Sequence, residues 1–508
     1  MIIERSSEWQ EGFIERLEQK VSWDNWQLYN MSYEVEKMNL IPDFSGLQCP
    51  KILSNLSPLP HQLQVAETVI ERMNGKAILA DEVGLGKTIE AGLILKEYLI
   101  RGLVKKALIL APASLINQWV DELNSKFFIP AHAYKKNTQI DHYPIIVMSM
   151  DTAKKSPHRE QIYTQQFDMI IIDEAHKLKN HKTQIYQFVQ SLKKKFCLLL
   201  TATPIQNNVF ELFYLISLLK PGHLGSFEAF QSAFSASKYD LEHDEFLKEL
   251  VHQVMVRNRR QDTGIEWTNR CVEMVSIRFT DEEQRVYNQI LNLKNISSVF
   301  SGAFSMITLI KEMCSSKEAT YLTLNTMRQK CTNEEEIDYI ERLIEELMAL
   351  EINSKAEKTL EIIQQANDKV LIFTEYRATQ AYLQWYLQTK GITSVTFNGK
   401  FSKSKRDWMK QLFRDKAQVL IATESGGEGI NLQFCSHVIN YDLPWNPMKL
   451  EQRIGRVHRL GQEQDVHIYN LAIQHTIEED IVRLLSEKID VFEKVVGELD
   501  AILSEKSI

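Results

Sequence analysis

The chain lacks paired cysteines, a bilayer-length apolar run and an excess of positive charge over its 508 residues, and each absence narrows the function. The six cysteines are scattered with no C-x-x-C pair. That argues against structural zinc and a disulfide framework, and it fits a reducing cytoplasm. The longest apolar runs, such as Ala107–Pro112 and Met169–Ile172, stop far short of the roughly 20 residues that span a bilayer, so no membrane partner is expected. Met1 to Gln10 is charged and no apolar stretch follows it, so no secretory signal is read there. No repeat of about 20–50 residues recurs, which excludes a solenoid. Net charge is −8 at pH 7, which by itself argues against nucleic acid. The field that matters is local, however, and basic clusters stand at Lys154–Lys155, Lys193–Lys195, Arg257–Arg260 and Lys403–Arg406. Taken singly, each cluster reads equally well as a solvated face.

What is present is globular: 44% hydrophobic and 25% charged residues, with length for about three to five domains or sub-domains. Short β-branched apolar runs end in polar turns at Ala77–Ala80, Ala107–Leu110, Ile145–Met148, Met169–Ile172, Cys197–Leu200, Val370–Phe373, Val419–Ile421, Val438–Asn440 and Val466–Tyr469. Such runs, separated by helical patterns, predict buried parallel strands in α/β units. They fall in two groups, before Lys220-Pro221-Gly222 and after Ser354. Between them the pattern is helical from Asp281, with Ile337, Ile340, Ile344 and Leu347 at helical spacing, expected to pack on neighbouring helices. The expected fold class is therefore α/β, with two doubly wound parallel-sheet lobes and a helical insert. Its parts are an N-terminal extension (1–50), a first lobe (51–221), the insert or linker (222–353) and a second lobe (354–508). The extension carries Trp9, Trp23 and Trp26, expected to pack against the first lobe.

The run Ala77–Ala80 leads into Asp81-Glu82-Val83-Gly84-Leu85-Gly86-Lys87-Thr88, and a helical pattern follows. This is the context of a phosphate loop, in which glycines let backbone N–H groups approach phosphate and the helix N-terminus favours negative charge. Lys87 would reach the terminal phosphates of ATP and Thr88 would hold Mg²⁺. Asp81 departs from the strict pattern, which wants glycine there. Met169–Ile172 delivers Asp173-Glu174-Ala175-His176 at its carboxyl end. Asp173 is placed to orient Mg²⁺, and Glu174 to accept a proton from attacking water. Thr201-Ala202-Thr203-Pro204 ends the next strand, and Gln62 in Pro60-His61-Gln62 has an amide suited to adenine.

In the second lobe, Arg456 and Arg459 are three apart and share a face if their stretch is helical. Two guanidinium forks suit a triphosphate. Lying far along the chain from Lys87, they would make hydrolysis depend on lobe closure. The Gly-rich turn Thr423–Gly429 follows another strand and could bring amides to a phosphate.

Together these stretches resemble the Swi/Snf-type ATPases of helicase superfamily two. The matches run in order as PLPHQ, DEVGLGKTIEAG, LILAPASLINQW, IIIDEAHKLKN, LLLTATPIQNN, KVLIFTEYRATQ, VLIATESGGEGINLQ, NYDLPWNP and EQRIGRVHRLGQ, from about Pro60 to about Gly497. Val83 and the terminal FEKVVGELDAIL are most similar to the bacterial RapA-like, RNA-polymerase-associated branch. The resemblance implies two RecA-like lobes, Mg·ATP hydrolysis and translocation on double-stranded DNA. It implies adenine contact by Gln62, phosphate and metal contact by Lys87 and Thr88 within the loop Asp81–Thr88, hydrolysis by Asp173 and Glu174, and arginine fingers at Arg456 and Arg459. It also implies nucleic-acid contacts near Ser114, Ser149, Thr374 and Thr423. The partners expected are double-stranded DNA and a DNA-bound protein such as RNA polymerase, with the chain acting as a monomer. Little precedes Pro60 and almost nothing follows the second lobe, so accessory domains are not expected and polymerase recycling is put in doubt. Two other readings fit parts of the pattern. One is an RNA-dependent ATPase or helicase, because Asp173–His176 also resembles RNA helicases. The other is a non-enzymatic polymerase-bound adaptor, which would need a broken site.

Overall fold

The computed structural model describes residues 26–39, 46–135, 138–205, 208–235, 241–296, 303–399, 401, 403–424, 431–496 and 502–503. The chain divides into two compact units, 1–47 and 48–508. In the first unit, the helix Trp26–Asn39 stacks Trp26 on Tyr29 and Tyr29 on Tyr33, with ring centroids 5.2 and 6.4 Å apart. Trp9 and Trp23 lie outside the described residues.

The second unit holds two parallel sheets. Strands β1 (Lys76–Leu79), β2 (Ala107–Ala111), β3 (Ala131–Ala133), β4 (Ile145–Ser149), β5 (Phe167–Asp173), β6 (Lys194–Leu200) and β7 (Met255–Val256) run in the spatial order β3-β4-β2-β5-β6-β1-β7. Strands β8 (Arg270–Ile277), β9 (Val370–Thr374), β10 (Ser394–Phe397), β11 (Val419–Thr423), β12 (His437–Asn440) and β13 (Val466–Ile473) run in the order β10-β11-β9-β12-β13-β8. The central strands β2, β4, β9 and β11 are buried along their whole length, which is why they read as continuous apolar runs. The strands that the apolar pattern misses are β3, β7, β8 and β10, the four sheet edges. Half-exposed edges carry polar residues, as in Arg270-Cys271-Val272-Glu273 of β8, so no apolar run marks them.

Two of these edges come from residues 222–353. Besides its helices, that segment supplies β7 to the first sheet and β8 to the second, each joined in parallel register. The chain therefore crosses between lobes at Arg257–Asn269. The stripe expected on one helix is there. In Glu334–Ala349, Ile340 and Leu347 are fully buried, and Ile337 and Ile344 pack on the same core, which is shared with one face of the second sheet. The last long helix, Ile477–Val496, packs against Leu241–His252, and the Arg257 guanidinium lies over its Phe492 ring at 5.1 Å.

Register aligns the functional ends. Leu200 of β6 pairs with Leu79 of β1 and with Asp173 of β5. The three carboxyl ends therefore open at one level, where α/β sheets bind ligands.

Candidate functional site

The phosphate loop follows β1, and the helix Lys87–Ile100 begins at its end. Gly84 and Gly86 have φ of 98° and 96°, a region open to glycine and strained for other residues. A Cβ on Gly86 would also meet Gln62 Nε2 at 2.5 Å. Gln62 is buried on the helix Pro60–Glu71, where Oε1 accepts from Leu59 N (3.0 Å) and Nε2 donates to Leu85 O (2.9 Å). Its amide thus braces the loop, and an adenine contact would have to use the second lone pair and second N–H. Lys87 Nζ donates to the carbonyls of Asp81 (2.5 Å) and Glu82 (3.1 Å). Burial lowers its pKa, opposed by the charges of Asp81, Glu90, Glu174 and Asp173. Asp81, the departure from the strict pattern, accepts from Asn258 N (2.9 Å) and Nδ2 (3.0 Å), just after β7. The edge strand therefore anchors the loop's first residue. Behind it, burial and the Asp81 charge push the Glu90 carboxyl well above its ordinary value.

Asp173 closes β5, and Glu174 follows with φ of 52°, an uncommon conformation for a residue other than glycine. Asp173 Oδ2 accepts from Trp119 Nε1 at 2.9 Å. Burial and the Glu174 charge raise the Asp173 pKa to about 6, against Trp119 and Lys87. For Glu174, burial is outweighed by His176, whose Nδ1 lies 3.1 Å from Oε2, and by Lys87 and Arg456, so its pKa falls below the ordinary value. The two adjacent acids are thereby pushed apart. Thr201 and Thr203 close on each other at the end of β6, through Thr203 N to Thr201 Oγ1 at 3.0 Å.

The second lobe reaches this site. The helix Pro447–Ile454 is held by Arg453, whose Nη1 donates to Asn440 Oδ1 (3.2 Å) and Asp442 O (2.8 Å). It ends at Ile454, so Arg456 and Arg459 lie in the turns beyond it rather than on a continuing helix. A helical bond from Gly455 N to Glu451 O (2.8 Å) and another from His458 N to Ile454 O (2.9 Å) carry the chain round one more turn. A Cβ on Gly455 would lie 2.4 Å from Val83 Cγ1, and one on Gly84 would lie 3.3 Å from Arg459 Cγ. The arginine-bearing turn is thus seated directly on the phosphate loop. Burial, Arg456 and Arg260 lower the Arg459 pKa to about 10.

A buried charge network lies beside this contact. Glu451 accepts from Arg270 Nη1 (2.7 Å) and Nη2 (2.9 Å), and from both terminal nitrogens of Arg260 at 3.4 Å. Arg270 Nε donates to His458 Nδ1 (2.9 Å), which leaves Nε2–H for Thr268 O (2.9 Å). Burial lowers the His458 pKa to about 4, helped by Arg270 and Arg260, so the ring is neutral, as that tautomer needs. Burial would raise the Glu451 pKa, but Arg270 and Arg260 outweigh it and bring it from 4.5 to about 2. A depressed carboxyl stabilises the fold above its ordinary value and loses that contribution as pH falls towards about 2. Glu451→Gln is therefore expected to lower the unfolding free energy at pH 7 by up to about 3 kcal/mol. In chemical denaturation, the gap from the parent should close between pH 4.5 and about 2.

The residues expected at nucleic acid are dispersed. Ser114 is exposed after β2. Ser149 is buried and caps a short helix, with Oγ accepting from Thr152 N at 3.1 Å. Thr374 is buried and donates to Asp442 Oδ2 at 2.6 Å. Both hydroxyls are hydrogen-bonded within the chain. Thr423 is buried too and lines an inter-lobe cavity of about 460 Å³, with the basic groups Lys177, Arg377 and Lys449 and the acids Glu375 and Glu424. Of the Gly-rich turn, residues 425–429 lie outside the described residues. Sequence reasoning missed Trp119, Asn258, Arg260, Arg270 and Glu451 as site residues. The basic run Arg257–Arg260 was the one signal for Arg260, and the structure turns it inward.

Comparison with known proteins agrees with this architecture. The SNF2-related domain family matches residues 61–337, and the helicase conserved C-terminal domain family matches residues 354–461. The chain is 59% identical over 502 residues to the uncharacterized ATP-dependent helicase YqhH of Bacillus subtilis (strain 168), covering 98% of this chain and 90% of that protein. It is 28% identical over 490 residues to the RNA polymerase-associated protein RapA of Actinobacillus pleuropneumoniae, covering 86% of this chain but only 50% of RapA. Among solved structures, the Sulfolobus solfataricus SWI2/SNF2 ATPase core in complex with dsDNA aligns at 24% identity over 87% of this chain and 93% of that one, with a TM-score of 0.43. The same core domain alone aligns at 24% identity over 88% and 93%, with a TM-score of 0.41. With one family match over more than half its length and a relative 59% identical along nearly all of it, the chain belongs to the SNF2-related ATP-dependent helicases and is an ATP hydrolase.

Proposed function

We propose that the chain is a translocase on double-stranded DNA that uses ATP hydrolysis to remodel or displace proteins bound there, RNA polymerase being one candidate. The observation that carries the reading is the contact between the phosphate loop and the arginine turn, Gly84 against Arg459 and Val83 against Gly455. A site completed by both lobes converts the loss of the terminal phosphate into lobe movement. In this reading, Lys87 leaves the carbonyls of Asp81 and Glu82 for the phosphates, and Glu174 takes a proton from the attacking water. Arg456 and Arg459 meet the charge that develops on the transferred group.

The metal donors in this reading are hard oxygens, the Thr88 hydroxyl and the Asp173 carboxylate, a set that suits Mg²⁺. Bound there, the ion would neutralise phosphate charge. Asp173 would hold its side, with Trp119 fixing the carboxylate's orientation.

Double-stranded DNA as the track is supported by the ordered motifs of the SNF2-related family. In the inter-lobe cavity a strand backbone would meet Lys177 and Arg377, while Lys449 there is paired with Glu424 at 2.7 Å and Glu375 with Lys311. The name of RapA brings polymerase in as a partner, through a protein of which this chain spans half. ATP turnover with duplex DNA, single-stranded DNA, RNA or no polymer tests the reading. Duplex DNA is expected to stimulate most, and RNA above DNA would favour an RNA-dependent ATPase instead.

A further inference from the structure

Arg260 is buried, with 1% of its surface exposed, and none of the motifs that carry the family resemblance includes it. A buried guanidinium is costly unless fully bonded, so its partners indicate what it is kept for. Nη2 donates to Val83 O at 2.5 Å, and both N and Nη1 donate to Glu82 Oε2, at 3.0 and 3.4 Å. Those partners belong to the phosphate loop. The same two terminal nitrogens reach Glu451 Oε1 at 3.4 Å, on the helix that leads into the arginine turn. Arg260 itself opens the short turn Arg260–Thr263, between the edge strand of one sheet and the edge strand of the other.

Each carboxylate also has a second counter-charge. Glu451 has the bidentate Arg270, and Glu82 has Arg257 with Nη2 3.8 Å from Oε1. What Arg260 adds is simultaneous contact with both lobes. A planar fork with fixed donor directions can hold that spacing, whereas a lysine ammonium offers one point charge.

We propose that Arg260 is a positioning residue that couples the phosphate loop to the arginine turn. By bonding Glu82 and Val83 on one side and Glu451 on the other, it sets Arg456 in register with the nucleotide phosphates. The proposal rests on the reading that Arg456 completes the hydrolysis site. Arg260 touches no reacting atom, so its removal acts through Arg456 and not through nucleotide binding.

The test is a double-mutant cycle on the full chain, reading kcat for ATP and the affinity for a non-hydrolysed ATP analogue. Arg260→Met is expected to lower kcat by about 10- to 100-fold, the cost of a misplacement of about 1 Å. Analogue affinity is expected to stay within about threefold, because uniform binding is untouched. In an Arg456→Ala background, Arg260→Met should lower kcat by no more than about twofold, the sign that both changes remove one interaction. Arg260→Lys keeps a buried charge. It is expected to recover thermal stability while kcat stays low, a split that a merely structural role would not give. Losses that multiply in the two backgrounds, or equal loss of affinity and turnover in Arg260→Met, would overturn the coupling. Full turnover by Arg456→Ala alone would instead overturn the reading of the site on which it stands.

Discussion

Arg456→Ala is expected to cut ATP turnover by about 10³- to 10⁵-fold while nucleotide affinity stays close to that of the parent chain. The split follows from where charge is needed. In the proposed reading, nucleotide binding draws on the loop between β1 and the helix Lys87–Ile100, all within the first lobe. Arg456 comes from the turn after Pro447–Ile454, close enough for its charge to lower the Glu174 pKa. A donor that meets the phosphate as charge spreads over its oxygens stabilises the transition state more than the bound ground state. Lys87→Ala is the contrast, because removing the cation nearest the resting phosphates weakens binding itself. Turnover and analogue affinity measured on both variants separate the roles. Equal affinity loss in the two would contradict them.

Glu174→Gln should give the second large effect, a fall in turnover of about 10²- to 10⁴-fold with ATP still bound, as expected when a general base is lost. Glutamine matches the shape and can keep the backbone conformation at φ of 52°, but it cannot take a proton. The change also removes a neighbouring charge that raises the Asp173 pKa, so metal holding by Asp173 should not suffer. Single-turnover measurements with prebound ATP isolate the hydrolytic step. Near-parental rates would dismiss Glu174 as the base. A Glu174→Gln protein that kept its cellular role would show that hydrolysis is dispensable and favour an adaptor.

The sequence showed the centres of the structure and hid its edges. All nine apolar runs correspond to strands of the two parallel sheets, because a strand covered on both faces has apolar residues throughout. The edge strands β3, β8 and β10 alternate with polar residues, and β7 is only two residues long, so none left such a trace. That omission hid part of the site, since β7 delivers Asn258 to Asp81 and leads on to Arg260. The residues of the phosphate loop and the acids after β5 were legible because local spacing suffices to place them. Trp119 at Asp173 and Glu451 at Arg260 were not, because 54 and 191 residues separate the partners. Burial was not legible either. Ser149 and Thr374 have the chemistry of strand contacts, but their hydroxyls are committed inside the fold.

ATP turnover by the intact chain, with and without duplex DNA, tests the central claim most directly. A motor whose two lobes close on ATP while held on duplex DNA should turn over faster when duplex is present, and faster than with single-stranded DNA or RNA. Arg456→Ala should abolish the stimulated rate. An ATPase rate that duplex DNA leaves unchanged would contradict the account.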